Sequence, residues 1–177
     1  MGSDKGTLYI VSTPIGNLED ITLRALRILR EAGLIAAEDT RQTQKLLNQY
    51  EIHTPLTSYH GYNKEEKAEN LLERLQKGQA IALVSDAGTP LISDPGLYLI
   101  NRCIQEGVPI VPVPGASAVL CALAVAGLPT DSFLFEGFLP RKKGKRLKTL
   151  ESLKSLPHTL IFFESPYRTH QTLKDCF

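Results

Sequence analysis

Short apolar runs alternate with amphipathic segments along residues 7–126 of the chain. Runs of four to six residues with few polar positions are typical of strands buried on both faces. Apolar residues spaced three and four positions apart are typical of helices that pack on a core. The pattern predicts strands at residues 7–12, 34–37, 56–59, 80–84 and 108–113. It predicts helices at residues 21–32, 43–49, 65–77, 97–106 and 118–126, with Asp20 as the cap of the first.

Strands that alternate with helices are typical of βαβ units and a largely parallel sheet. After Pro129 the pattern restarts, with strands at 133–138 and 159–163, a helix at 147–156 and a last helix opened by Pro166. We therefore predict a two-domain α/β fold. Residues 1–116 would form an N-terminal domain with flanking helices, and residues 117–177 would begin a second α/β domain. Because two strands and two helices make a marginal domain, we expect the chain to be part of a longer protein.

Three loops rich in glycine and proline follow predicted strands, at residues 14–17, 85–96 and 114–117. The second loop is about twice as long as an ordinary connection of roughly two to six residues. In parallel sheets, ligands lie at the carboxyl ends of strands. Neither GxxxxGK[ST] nor GxGxxG occurs, so the loops suit a neutral or cationic nucleoside better than a polyphosphate. The alternative is that these are ordinary turn residues.

Composition narrows the class of protein. The net charge is +1, and the three cysteines, Cys103, Cys121 and Cys176, form no CxxC pair. Scattered cysteines in apolar stretches indicate reduced core thiols in a cytoplasmic protein. The four histidines are also scattered, so we expect no metal site. No apolar run approaches about 20 residues, so we expect no membrane span.

Four motifs occur in order: STPIGNLEDITLRAL (12–26), AEDTR (37–41), SDAGTPLISDPG (85–96) and VPGASA (113–118). Together they resemble the tetrapyrrole methylase superfamily of S-adenosylmethionine-dependent methyltransferases. The resemblance covers residues 7–177 and implies two α/β domains with the cofactor in the cleft between them. It is closest to the subgroup that 2′-O-methylates a cytidine ribose in small-subunit (16S) ribosomal RNA, and it implies a homodimer in the full-length protein.

The resemblance also implies cofactor-binding residues. These are Pro14, Gly16, Asp86, Ala87, Gly88, Leu91, Ser117, Ala118 and Phe163. The chain departs from the superfamily where Gly-Asp-Pro is replaced by Ser-Asp-Ala at residues 85–87, which keeps the aspartate but gives less support to a tetrapyrrole substrate. The loop's tail, residues 93–96, is expected to cap the next helix through Asp94.

The candidate catalytic residues are Arg41, His60 and Asp39. Histidine has a reference pKa of about 6.5, which suits removal of a proton from a ribose hydroxyl. Glu38 and Asp94 also follow predicted strands and remain candidates. The alternatives are that Asp39 caps the next helix, that Arg41 pairs with Glu38, and that His60 is a surface hydrogen-bonding group.

Six of the eight residues from 141 to 148 are basic. These are Arg141, Lys142, Lys143, Lys145, Arg146 and Lys148. Positive charge is unfavourable at a helix N-terminus, so its concentration there indicates a polyanionic partner. We expect contact with ribosomal RNA or the small ribosomal subunit; the alternative is a solvated helix start. Two other functions stay open: methylation of a small cyclic substrate such as a tetrapyrrole, and RNA binding without catalysis.

Overall fold

A computed structural model describes residues 5–59 and 64–177. It divides the chain into two compact units, Met1–Ala118 and Val119–Phe177. The predicted boundary lay two residues earlier. The first unit contains a five-stranded parallel sheet, and the second contains a two-stranded parallel sheet. The predicted α/β class with a parallel sheet is therefore confirmed.

In the first unit the strands are β1 (Leu8–Val11), β2 (Leu34–Ala37), β3 (Leu56–Ser58), β4 (Ile81–Val84) and β5 (Ile110–Val113). The helices are α1 (Leu23–Glu31), α2 (Thr40–Gln49), α3 (Lys64–Gln76) and α4 (Leu97–Gln105). A 3-10 turn spans Leu18–Asp20. The strand order is β3-β2-β4-β1-β5, so the carboxyl ends of β2, β4, β1 and β5 lie side by side.

The sheet is buried on both faces because successive strand residues point to opposite sides. On one face Ile81 and Leu83 pack with buried residues of α3 and α4. On the other face Ala82 and Val84 pack with buried residues of α1 and α2. This sandwich of helix, sheet and helix explains why β4 consists entirely of buried residues.

In the second unit α5 (Ala118–Val125) begins at the boundary. It is followed by β6 (Phe133–Phe138), α6 (Lys143–Leu153), β7 (Thr159–Phe163) and α7 (Thr169–Cys176). A bulge between Phe135 and Gly137 shifts the register of β6 against β7.

Among the three cysteines, Cys103 is a buried core thiol, and burial raises its pKa to about 11. Cys121 and Cys176 are exposed, so the prediction of core thiols is wrong for those two.

Several predicted helix starts are wrong, each for a local reason. Thr22, not Asp20, caps α1, because its side chain accepts a hydrogen bond from the Ala25 N–H at 3.1 Å. The sixth helix begins at Lys143, four residues before the predicted start, so the basic run forms its first turn. The last helix begins at Thr169, three residues after Pro166; before it lies a turn in which Ser165 O accepts from the N–H groups of Arg168 and Thr169.

Candidate active site

The loops after β1 and β4 are joined by a short antiparallel bridge. The N–H of Thr13 donates to Gly88 O at 2.9 Å, and the N–H of Gly88 donates to Thr13 O at 3.1 Å. The hydroxyl of Thr13 donates to Ser85 O at 3.2 Å, while the hydroxyls of Ser12 and Thr89 lie 2.9 Å apart. The long loop after β4 therefore folds back over the end of β1.

The same loop has an unusual backbone conformation. Leu91 and Ser93 have φ values of 76° and 67°, the left-handed region that side chains with a Cβ rarely adopt. Strain of this kind costs about 1–3 kcal/mol per residue and is concentrated at functional sites. Gly96 has a φ of 143°, and a Cβ there would lie 2.6 Å from Leu91 Cδ2. Glycine at this position allows the loop to close tightly on itself.

The third loop approaches β1 from the other side. Because β5 pairs with β1, the turn at Gly115 passes close to Ser12, and a Cβ on Gly115 would lie 2.8 Å from Ser12 Cβ. All three predicted loops thus meet at one edge of the sheet. They carry seven of the nine residues that the resemblance assigns to the cofactor, Pro14, Gly16, Asp86, Ala87, Gly88, Leu91 and Ser117, and Ala118 follows at the start of α5.

Carboxylates gather at the ends of β2 and β4. One oxygen of Asp86 (Oδ1) accepts a hydrogen bond from the Asp39 N–H at 2.9 Å. Partial burial, followed by the charges of Asp94 and Asp86, raises the pKa of Glu38. Burial and the charge of Asp86 likewise raise the pKa of Asp94. Glu38 is therefore a stronger base than an ordinary glutamate, and this edge of the sheet favours a cationic ligand.

Asp39 and Arg41 interact with each other. The Asp39 side chain caps α2 by accepting from the Arg41 N–H at 2.9 Å, and its second oxygen accepts from Arg41 Nη2 at 2.9 Å. Hydrogen bonds from the Arg41 side chain and backbone lower the pKa of Asp39 to about 2. A carboxylate with so low a pKa is a poor base at neutral pH. The alternative that Arg41 pairs with Glu38 is wrong, because its partner is Asp39.

Asp94 does not cap α4. The N-cap position is Gly96, with no side-chain hydrogen bond to the helix, so the predicted capping tail at residues 93–96 is wrong. The half-buried Asp94 instead interacts with Ser85, Asp86 and Glu38. The whole loop after β4 therefore belongs to the same polar edge of the sheet.

Two candidate residues remain, His60 and Phe163. His60 lies outside the described residues. Phe163 is at the end of β7 in the second unit, where its ring makes edge contacts with Phe135 at 4.7 Å and Phe138 at 5.6 Å between centroids. It is half-buried in this aromatic group.

The basic run divides into an exposed set and one buried arginine. The exposed basic set consists of Arg141, Lys142, Lys143, Lys145 and Lys148. Arg146 is 4% exposed; its guanidinium donates to Asp175 Oδ2, with Nε at 2.8 Å, and to Pro140 O and Arg141 O. The prediction that Arg146 contacts RNA is therefore wrong, because Arg146 ties α6 to α7.

Sequence reasoning missed a pocket beside α2. It has a volume of about 140 Å³ and lies between the first turns of α2 and the loops after β1 and β4. Thr43 and Lys45 of α2 line it together with Pro14 and Asp86. The signal available was that Thr43 lies on the inward face of α2, three residues before the buried Leu46.

The described residues offer neither a metal-binding cluster nor a membrane-spanning helix. Within residues 5–59 and 64–177, no three side chains of histidine, cysteine, aspartate or glutamate are grouped to hold a metal ion. None of the described helices combines the length and apolar character needed to cross a bilayer.

Comparison with known proteins identifies related sequences and folds. The sequence model described as Tetrapyrrole (Corrin/Porphyrin) Methylases matches residues 7–176. The ribosomal RNA small subunit methyltransferase I of Halalkalibacterium halodurans is 58% identical over 172 residues, covering 97% of this chain and 60% of that protein. The protein of the same name from Mesorhizobium japonicum is 55% identical over 166 residues, covering 94% of this chain and 56% of that protein. The chain thus spans less than two thirds of these relatives.

A solved structure gives the same fold. The cobalt precorrin-4 methyltransferase of cobalamin biosynthesis superposes with a TM-score of 0.70 at 23% identity, covering 96% of this chain and 73% of that one. At this identity the likeness concerns the fold alone. The family match spans nearly every described residue, including all three loops at the edge of the sheet. The chain therefore belongs to the tetrapyrrole (corrin/porphyrin) methylase family.

Proposed function

We propose that the intact protein is an S-adenosylmethionine-dependent methyltransferase that 2′-O-methylates a cytidine ribose in small-subunit ribosomal RNA. The observation that carries the proposal is the 58% identity, over 97% of this chain, to a relative named ribosomal RNA small subunit methyltransferase I. Such a substrate belongs in the cytoplasm, where ribosomes are assembled. We also propose that the protein acts as a homodimer, as the family resemblance implies.

The edge of the first unit fits the proposed cofactor. When bound, S-adenosylmethionine supplies a methyl group on a positively charged sulfonium. Glu38, Asp86 and Asp94 provide negative charge at this edge, which favours a cation. Gly115 permits the third loop to pack against Ser12 at the end of β1, where a Cβ would clash. The seven cofactor residues of the three loops, together with Ala118 at the start of α5, would hold this molecule.

The residues of this chain would mainly align the ribose hydroxyl and remove its proton. Among the candidate bases, Glu38 is better suited than Asp39, because the surroundings raise the pKa of Glu38 and lower that of Asp39. Arg41 is ion-paired to Asp39, yet its side chain is 88% exposed. It is therefore available to bind an RNA phosphate while Asp39 keeps it oriented. His60 stays a candidate base.

The exposed basic set would contact the RNA backbone. Lys142 is the N-cap of α6 and makes no side-chain capping bond, and the first turn of α6 has no acidic residue. Exposed cations beside unsatisfied N–H groups of a helix N-terminus attract phosphate. This supports the RNA substrate over a small cyclic one.

The test is a methylation assay on the intact protein. Small ribosomal subunits from cells that lack the corresponding gene would be incubated with methyl-labelled S-adenosylmethionine. Resistance of one cytidine linkage to alkaline cleavage would identify a 2′-O-methyl group. Label on a tetrapyrrole and none on RNA would favour the cyclic substrate. Cofactor and RNA binding with no transfer would favour an RNA-binding module without catalysis.

A further inference from the structure

The pocket beside α2, defined above, adjoins the open edge of the sheet and shares Pro14 and Asp86 with it. Its walls combine apolar side chains, Pro14, Leu18 and Leu46, with polar ones. Its volume of about 140 Å³ is well below the ~300–1,000 Å³ of pockets that enclose a drug-sized ligand. It therefore fits a single small ring rather than a whole nucleotide.

The observation that indicates a ligand in this pocket concerns Thr43. It is 4% exposed, and its Oγ1 is buried with no hydrogen-bond partner among the described residues. A buried hydroxyl without a partner is unfavourable, and native structures contain few of them. A bound group that exchanges a hydrogen bond with Thr43 removes this penalty.

Charged groups at the pocket set the chemistry of that ligand. Asp86 uses Oδ1 for the Asp39 N–H, and its carboxylate keeps capacity for another donor. Lys45 Nζ donates to Gln42 Oε1 at 2.9 Å and has two further protons to donate. The pocket thus offers an acceptor, a donor and a hydroxyl between apolar walls. An anion such as phosphate is disfavoured by Asp86, whereas the edge of a nucleobase matches all three groups.

We infer that this pocket receives the base of the target cytidine, unstacked from the RNA. Asp86 would accept from the exocyclic amine, while Lys45 and Thr43 would donate to the ring nitrogen and carbonyl oxygen. Uracil presents a carbonyl where cytosine has the amine, so it would face the Asp86 carboxylate and be rejected. The inference rests on the proposed function and adds to it the residues that select cytidine.

The experiment measures substrate preference by the intact protein. Small subunits would carry cytidine or uridine at the position mapped in the methylation assay, and kcat/KM would be measured for both at saturating S-adenosylmethionine. The variants are Thr43→Val, which keeps the shape and removes the hydroxyl, and Asp86→Asn. The control is Thr57→Val on β3, which does not line this pocket.

We expect Thr43→Val to lower kcat/KM on cytidine about three- to tenfold, the usual effect of one hydrogen bond. Its S-adenosylmethionine affinity and its melting temperature should not fall. Asp86→Asn should reduce the preference for cytidine over uridine, because an amide can donate to the uracil carbonyl. Because the preference is a ratio at saturating cofactor, it is insensitive to any loss of cofactor affinity in Asp86→Asn.

Three results would overturn the inference. In the first, the wild-type protein is active and both variants keep the full cytidine preference and full kcat/KM. This would show that the pocket does not bind the base, and it would leave the proposed function intact. Weaker S-adenosylmethionine binding by Thr43→Val, with the preference unchanged, would assign the pocket to the cofactor. No transfer to RNA by the wild-type protein would overturn the proposed function, and the base pocket with it.

Discussion

The carboxylate of Asp86 accepts a hydrogen bond from the backbone N–H of Asp39 at 2.9 Å. The two residues follow β4 and β2, whose last residues, Val84 and Ala37, are paired in the sheet. The bond therefore fixes the two strand ends against each other just where the polar loops begin. Asp86, which the family resemblance assigns to the cofactor, thus also positions the AEDTR segment.

Asp86→Ala should weaken S-adenosylmethionine binding by about ten- to a hundredfold, the effect of losing one hydrogen bond to a charged group. The substitution removes a negative charge from the proposed cofactor edge and leaves the Asp39 N–H without its acceptor. Isothermal titration of the intact protein with S-adenosylmethionine and with its demethylated product measures the change.

Asp94→Ala is the matched control for Asp86→Ala. Asp94 bears the same charge in the same loop, yet it does not hold the end of β2. We expect a smaller loss of cofactor affinity. Equal losses in the two variants would mean that the charge of the loop matters and the Asp86–Asp39 bond does not.

Glu38→Gln should increase the thermal stability of the folded protein at pH 7. Burial and neighbouring carboxylates raise the pKa of Glu38 above 4.5, so the folded protein binds its proton more tightly than the unfolded chain does. The resulting stabilisation is present below pH 4.5 and is lost as pH rises through the folded pKa. At pH 7 Glu38 is charged and unfavourable, so Glu38→Gln should raise Tm by a few degrees, with no gain at pH 4.

If Glu38 accepts the ribose proton, Glu38→Gln should also lower kcat by about 100-fold or more, the usual contribution of a general base. Measurements of kcat at saturating substrates, from pH 5 to pH 9, would test this. The exposed Glu19 provides the control, as Glu19→Gln should change neither Tm nor kcat. Full activity of Glu38→Gln would leave His60 as the candidate base.

The sequence predicted the order of strands and helices because burial on both faces leaves an unbroken apolar run such as Ile81–Val84. It also indicated the loops of the site, since glycine and proline mark turns at strand ends. Capping was harder to predict: Asp20 and Thr22 are both good caps, and it is the Thr22 hydroxyl that accepts from the Ala25 N–H. Thr43 was missed because a single threonine on an amphipathic helix gives no sign of whether its hydroxyl finds a partner.

Arg146→Met should destabilise the second unit, because it leaves Asp175 buried without its partner. The Arg146 guanidinium lowers the pKa of Asp175, so this contribution is present above pH 3.8 and is lost as pH falls through the lower, folded-state pKa. Thermal unfolding of the intact protein at pH 7 should show a Tm lower by several degrees. The double variant Arg146→Met with Asp175→Leu should recover much of the loss. No loss of Tm in Arg146→Met would contradict a structural role.

Replacement of the exposed basic set by serine should lower RNA affinity and flatten its salt dependence. Each phosphate contact contributes about −0.7 to the slope of log K against log salt for single strands. If each of the five side chains contacts one phosphate, the slope should flatten by about 3.5. The slope would be measured by filter binding to small-subunit ribosomal RNA between about 50 and 200 mM salt, roughly the range over which such contacts weaken.

Two double variants distinguish a local contact with RNA from an effect of the net charge. Lys142→Ser with Lys143→Ser removes two charges at the start of α6, and Lys154→Ser with Lys174→Ser removes two exposed charges elsewhere in the same unit. Only the first pair should flatten the salt slope, by about 1.4. Equal slopes for both pairs would mean that the exposed basic set is only a solvated helix start and does not contact RNA. Arg146→Met should leave the slope unchanged at temperatures where the unit stays folded, because its guanidinium already faces Asp175.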